Sequence, residues 1–229
     1  MEAEREGFEA ALSRSPGPVQ LAMLFFRHER ALYDTRDPGS CAATIEAYRR
    51  TGMAAAPSLV GYHQLVDGDD HPDTQLVPDA VREEWDSFRG PMQMMRSILE
   101  PVVPLQAANV RMLNEAGVVL LAATDVGIPM LVPGFSLHEE LVLLVGAGLT
   151  PLEALRTATL NPARVLGLAG PLGTVEAGKL ADLVLLEANP LADIANTQRI
   201  RAVVANGRLY RRSDLNRLLD EAQSAQSVR

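Results

Sequence analysis

The residue best placed for chemistry is Asp125, at the end of the apolar run "VVLLAATDVGIPM" (residues 118–130). A run of apolar and small residues that follows a helix and ends in a turn predicts a buried parallel strand over residues 118–124. The carboxyl ends of such strands are where α/β barrels hold catalytic groups. An aspartate near a glycine turn can instead cap its loop by accepting bonds from backbone N–H groups. Position alone leaves both roles open for Asp125.

Two of the four histidines are candidates for substrate binding. His63 follows the predicted short strand "MAAAPSLVGY" (residues 53–62), so it could face the same end of the sheet as Asp125. His138 lies in the first turn of the helix after Asp125, where it would either fix the loop by a hydrogen bond or contact a ligand.

The other two histidines are expected to be structural. His28 is predicted on a helix surface, and His71 is predicted to be solvated in the acidic loop "DGDDHPDTQLVPD". The chain has no H-x-H pair, and the H-E-x-x-H metal motif fails because position 142 is valine. A site rebuilt from His63, His71 or His138 together with Asp125 stays a further possibility.

Composition excludes several classes of function. The net charge of −8 argues against a nucleic-acid partner, which calls for clustered basic residues. A single cysteine, Cys41, rules out an internal disulfide and a thiolate metal site. Neither an apolar run long enough for a membrane span nor a secretory signal is evident, so we expect a cytoplasmic protein.

Local signals predict α/β units that surround the Asp125 segment. Ser136 with Glu139, and Thr150 with Glu153, have the spacing of helix capping boxes. Asn161 is predicted to cap a further helix that has Pro162 at its first position. The alternation of strands and helices, with long crossings between them, favours an α/β fold with parallel strands.

The character of the sequence changes at Gly170. Glycines, prolines and short β-like runs follow, and Asn206-Gly207 between two such runs is a strong hairpin signal. We therefore predict three regions: an α/β part over 1–169, β-strands over 170–212, and a polar helical tail over 213–229.

Several motifs in the same order resemble one known family. The stretches "LAATDVGIP", "PGFSLHEELVLLVGAGLTPLEALRTATLNPARVLGL", "LGTVEAGKLADLVLLEANPLADI" and "RIRAVVANGR" resemble the carboxyl-terminal part of the metal-dependent amidohydrolases, in particular their imidazolonepropionase- and prolidase-like branch. The resemblance covers residues 118–212. It implies part of a (β/α)8 TIM-type barrel, with about strands seven and eight and their helices, plus part of a small flanking β-sandwich domain.

The resemblance also implies a chemistry. In this family the aspartate of the strand-eight "TD" motif, here Asp125, binds a divalent metal, expected to be Zn2+, and acts as the base toward a metal-activated water. The bonds cleaved are C–N bonds in amides, cyclic amides or dipeptide-like small molecules.

Most of the family's metal ligands have no counterpart in this sequence. The first-strand H-x-H pair, the lysine and the later histidines are absent, so we expect the isolated chain to be inactive. The alternative is a non-catalytic half-barrel module that pairs with another chain, and either a complementary chain or a homo-oligomer is an expected partner.

Overall fold

A computed structural model describes residues 2–13, 17–35, 37–68 and 71–226. Ten α-helices lie in the described residues: α1 (Glu2–Leu12), α2 (Pro18–Asp34), α3 (Pro38–Thr51), α4 (Leu59–Asp67), α5 (Asp79–Leu99), α6 (Val103–Glu115), α7 (Phe135–Gly146), α8 (Pro151–Ala158), α9 (Leu160–Val165) and α10 (Arg212–Gln226). Two 3-10 helices span Pro72–Leu76 and Ile194–Gln198. Within these ranges no helix combines the length and the apolar character that a membrane crossing requires.

A three-stranded antiparallel sheet lies near the end of the chain. Its strands are β1 (Leu183–Leu186), β2 (Ile200–Ala205) and β3 (Arg208–Arg211), in that order across the sheet. β2 and β3 form the predicted hairpin: both turn residues have positive φ, 51° at Asn206 and 73° at Gly207. Paired left-handed residues of this kind match the twist of a two-residue hairpin.

The two predicted parallel strands meet at a single pair of residues. Ala55 and Leu120 form a parallel bridge, with N–O distances of 2.9 Å from Ala55 N to Val119 O and from Leu121 N to Ala55 O. The prediction of a strand over 53–62 is wrong beyond this point, because α4 begins at Leu59. Proline has no N–H to extend a ladder, and Ser58, which follows Pro57, adopts a left-handed φ of 50° that ends the extended backbone.

The main core lies on one face of residues 118–120. Val118 and Leu120 are buried together with Leu141 and Leu144 of α7. Val119, which points to the opposite face, is 38% exposed. Successive side chains of an extended segment alternate between faces, so one face packs on helices and the other is uncovered.

Helices α8 and α9 occupy the other edge of this segment. Ala122 N donates to Thr157 O at 3.0 Å, and Asn161 Nδ2 donates to Leu120 O at 2.9 Å. The prediction that Asn161 caps a helix is therefore wrong, because α9 already begins at Leu160 and the amide binds the strand instead.

Of the two predicted capping boxes, the one at Thr150 is confirmed. Thr150 and Glu153 exchange the expected hydrogen bonds at the start of α8. The one at Ser136 is wrong: the N-cap of α7 is Gly134, two residues earlier, and the buried Ser136 hydroxyl has no hydrogen-bond partner among the described residues.

The fully buried Glu140 ties α7 to the start of α4. Its Oε2 accepts a hydrogen bond from Val60 N at 2.8 Å, while its Oε1 has no partner among the described residues. A carboxylate at this point satisfies an N–H group that the first turn of a helix leaves unpaired. Burial nevertheless raises the pKa of Glu140 to about 7, more than the bonds from Val60 and Leu59 lower it.

We predict that Glu140→Gln flattens the pH dependence of stability. A raised folded-state pKa means that the folded protein binds the proton more tightly than the unfolded chain does. The wild type should therefore lose stability as pH rises from about 4.5 to about 7, by up to roughly 3 kcal/mol. Glutamine keeps an acceptor for Val60 and carries no charge. In urea unfolding from pH 4 to 8, the variant should gain on the wild type as pH rises.

Glu153→Gln is the control for that series, because the pH dependence of its contribution lies below about pH 4.5 and the variant should not gain on the wild type from pH 5 to 8. The backbone N–H and hydroxyl of Thr150 hold the pKa of Glu153 below its usual range. Its contribution to stability is therefore present above the unfolded pKa and is lost as pH falls through the folded pKa. A Glu140→Gln variant with the same pH slope as the wild type would contradict the assignment.

We further predict that Asn161→Ala destabilises the protein by about 1–3 kcal/mol, because it leaves the carbonyl of the buried Leu120 without its partner. Asn196→Ala is the control: its amide also donates to a backbone carbonyl, that of Asn189, but in an exposed turn. Thermal unfolding of both variants measures the difference, and equal losses would show that the contact to the strand has no special weight.

Candidate functional site

Asp125 is exposed and follows residues 118–124, where the predicted strand is wrong except at Leu120, the residue that forms the parallel bridge with Ala55. Its main-chain carbonyl accepts a hydrogen bond from Ile128 N at 3.1 Å, which closes a turn. None of the hydrogen bonds or ion pairs among the described residues involves its carboxylate. The side chain therefore does not cap the loop, and the carboxylate is available to a ligand.

The loop after this residue, which we call the aspartate loop (125–134), is built from left-handed turns. Asp125 has φ 53° and Met130 has φ 70°, conformations that cost a non-glycine residue roughly 1 kcal/mol or more. Burial holds the loop in place: Met130, only 3% exposed, packs with Val77, Trp85 and Val132. Asp125 is thus fixed by its neighbours rather than by its own side chain.

Helices α4 and α5 pack against the aspartate loop. A Cβ atom on Gly61 would lie 2.8 Å from Ile128 Cδ1, so α4 approaches the loop more closely than an alanine would allow without a shift of that side chain. Ile128 in turn packs against a core cluster that includes Leu65 of α4 and Met95 of α5. These two helices therefore form one wall beside Asp125.

His63 lies on α4 rather than after a strand. Its Nδ1 is 3.8 Å from Asp67 Oδ2, one helical turn away. With His71 and Glu139 it lines an open groove of about 450 Å³ between α4 and α7. A role for His63 in substrate binding stays a prediction.

The prediction that His71 is solvated is wrong, since its side chain is only 18% exposed. Its Nδ1 accepts from Asp73 N at 3.1 Å, and its Nε2 lies 2.8 Å from Glu139 Oε1. Because Nδ1 is the acceptor, the proton is on Nε2 and is donated to Glu139. The acidic loop and α7 are joined by this contact, which the sequence spacing of 68 residues did not indicate.

His138 connects α7 to the 3-10 helix at 194–198. Its Nδ1 is 3.0 Å from Thr197 Oγ1, and the Thr197 hydroxyl donates its own hydrogen to Ile194 O at 2.9 Å. His138 is therefore the donor through Nδ1. Burial lowers the pKa of His138, which favours this neutral form. The hydrogen bond has the structural role that the sequence allowed, although its partner is not the aspartate loop, and ligand contact stays a prediction.

The described residues supply one candidate metal ligand rather than a complete site. No group of three or more His, Cys, Asp or Glu side chains within the described ranges is arranged to hold a metal ion. A catalytic zinc site needs about three protein ligands and an open position. The geometry therefore gives no support to a site rebuilt from the three histidines and Asp125.

Comparison with known proteins identifies the family. A protein-family sequence model described as "Amidohydrolase family" matches residues 93–210, just over half of the chain. Imidazolonepropionase of Rubrobacter xylanophilus is 39% identical over 107 residues, which are 43% of this chain and 25% of that protein. Ochratoxinase of Aspergillus niger is 37% identical over 102 residues, which are 42% of this chain and 20% of that protein.

Solved structures agree over a larger part of the chain. A bottromycin amidohydrolase is 26% identical with a TM-score of 0.62, over 76% of this chain and 40% of that one. A putative prolidase from Bifidobacterium longum is 32% identical with a TM-score of 0.52, over 74% of this chain and 39% of that one. By sequence, the chain spans a quarter or less of the length of the imidazolonepropionase and the ochratoxinase. Its motifs, its fold and these matches together show that it belongs to the amidohydrolase family.

Proposed function

We propose that this chain forms part of a hydrolase that cleaves C–N bonds in small molecules, with Asp125 as a metal ligand and proton acceptor. The observation that carries the proposal is the exposed Asp125 carboxylate, which has no partner among the described residues although its main-chain carbonyl is bonded in a turn. An exposed carboxylate with no internal partner keeps its acceptor positions for an external ligand. Membership of the amidohydrolase family supports the same role.

Each part of the site has a distinct task in this proposal. A bound divalent metal, expected to be Zn2+, would lower the pKa of a water toward neutrality. Asp125 would help to hold that metal and would accept a proton from the water that attacks the substrate carbonyl. The α4–α5 wall limits access on one side through Gly61 and Ile128.

The remaining metal ligands come, in this proposal, from outside the described residues. Asp125 alone binds a metal weakly, because the other two or three protein donors of a catalytic site are missing. We therefore expect the 229-residue chain by itself to be inactive. Amides, cyclic amides and dipeptide-like compounds are the proposed substrate class.

We predict that the purified chain alone holds less than stoichiometric zinc and does not hydrolyse an N-acyl amino acid or an Xaa-Pro dipeptide. Zinc content by mass spectrometry and product release by chromatography measure the two quantities. Stoichiometric zinc with turnover would contradict the incomplete site. Asp125→Asn should weaken the residual zinc binding, because it removes the charge of the carboxylate. Asp182→Asn is the control, since its carboxylate accepts a bond from Asn206 N at the edge of the small sheet.

A second candidate function is a half-barrel module that pairs with another chain. The exposed side chain of Val119, which lies between the buried Val118 and Leu120, supports it, because a barrel portion paired with another chain would cover this position. We predict that the purified chain self-associates or binds a complementary barrel portion in sedimentation experiments. Val119→Lys should weaken that association. A monomer that no complementary portion shifts, with or without the substitution, would contradict the module.

A further inference from the structure

A small cavity lies between the end of α4 and the second half of α5, about 200 Å³ in volume. Its walls include Met130 of the aspartate loop together with Leu65 and Met92. These three side chains are buried, so the inner part of the cavity is apolar. Met130 therefore belongs both to the cavity wall and to the loop that positions Asp125.

One side of the cavity carries positive charge. Arg89, Gln93 and Arg96 line it from α5, at spacings of four and three residues that place them along one face of the helix. Arg89 is engaged: its Nε bonds to Asp86 at 2.8 Å, and its Nη2 lies 4.0 Å from Met130 Sδ. Arg96 forms no ion pair within the described part of the chain.

The end of α4 adds negative charge to the cavity lining. Asp67, the last residue of α4, lines the cavity together with Gly68, which ends the helix in a left-handed conformation. Helix carbonyl groups at this end add a partial negative charge. The Asp67 carboxylate is mostly exposed, and the Nδ1 atom of the His63 ring lies 3.8 Å from its Oδ2.

This distribution fits a molecule with a carboxylate, an ammonium group and an apolar side chain. Arg96 and Gln93 match the carboxylate, because a guanidinium and an amide both donate to it. Asp67 and the end of α4 match the ammonium group. Met92, Met130 and Leu65 match an apolar side chain, and the methionines adapt to its shape.

We propose that this cavity binds a free α-amino acid with an apolar side chain, in its zwitterionic form. The inference rests on the proposed function to the extent that hydrolysis of a dipeptide-like C–N bond releases such an amino acid. The bound molecule would contact Met130 and thereby the aspartate loop. Because the charged groups lie near the surface, we expect a dissociation constant of about 1 mM.

The test uses the full chain without metal and L-leucine as the probe. Methionine methyl groups labelled with carbon-13 report on binding by NMR, and the signals of Met92 and Met130 should move during a titration. L-Leucinamide lacks the carboxylate and N-acetyl-L-leucine lacks the ammonium group, so each should bind about tenfold more weakly than leucine. Leucine and both analogues binding equally would overturn the assignment, as would the absence of shifts at about 50 mM leucine, far above the expected dissociation constant.

Two substitutions separate the roles of the charged groups. Arg96→Gln should weaken leucine binding about tenfold and leave leucinamide binding unchanged. Asp67→Asn should weaken leucine binding and leave N-acetyl-leucine binding unchanged. Arg82→Gln is the matched control, since Arg82 is on the same helix but pairs with Asp79 outside the cavity. Equal effects of Arg96→Gln and Arg82→Gln would overturn the proposal.

Failure of this proposal is distinguishable from failure of the proposed function. Leucine binding is measured without metal and without turnover, so the loss of zinc binding in Asp125→Asn should leave it unchanged. A chain that binds leucine but never zinc would refute only the catalytic proposal. A chain whose zinc binding depends on Asp125 but whose methionine signals ignore leucine would refute only the amino-acid site.

Discussion

The parallel pairing of Ala55 with Leu120 is the contact on which the rest of the site depends. Two hydrogen bonds of 2.9 Å bring together segments 65 residues apart in the chain. Because the two segments run in the same direction, the chain leaves both of them at the same end. The aspartate loop continues from one segment and α4 from the other. Asp125 and the helix beside it are therefore positioned by the same pairing.

Glu140 shows how the protein balances stability against positioning. A carboxylate buried at the start of α4 satisfies Val60, yet burial makes its charged form unfavourable and raises the pKa of Glu140 to about 7. The contact therefore contributes more to the orientation of α4 relative to α7 than to the stability of the fold. Gly61, one residue after Val60, is the point at which α4 touches the aspartate loop, so the orientation of α4 is transmitted to the neighbourhood of Asp125.

Local patterns in the sequence predicted those parts of the structure that local forces determine. The hairpin at Asn206-Gly207 and the capping box at Thr150 depend on residues close together in the chain, and both are present. The apolar run before Asp125 predicted a strand over 118–124, and of these residues only Leu120 forms a bridge. The pairing of His71 with Glu139 and the burial of Glu140 depend on tertiary packing, which periodicity does not report. The strand predicted after Ala55 failed for a local reason, the proline and the left-handed serine that come after it.

The hydrogen bonds of Thr157 to Ala122 and of Asn161 to Leu120 limit where a further strand can pair with residues 118–122. The Thr157 carbonyl and the Asn161 amide present one acceptor and one donor, which together imitate a residue of a neighbouring parallel strand. That edge is therefore already satisfied from within the chain. On the Ala55 side, neither Ala54 nor Ala56 makes a backbone hydrogen bond within the described ranges. A strand that extends the Ala55–Leu120 pair without displacing α8 and α9 must therefore add beside Ala55. The sheet can grow on that edge alone.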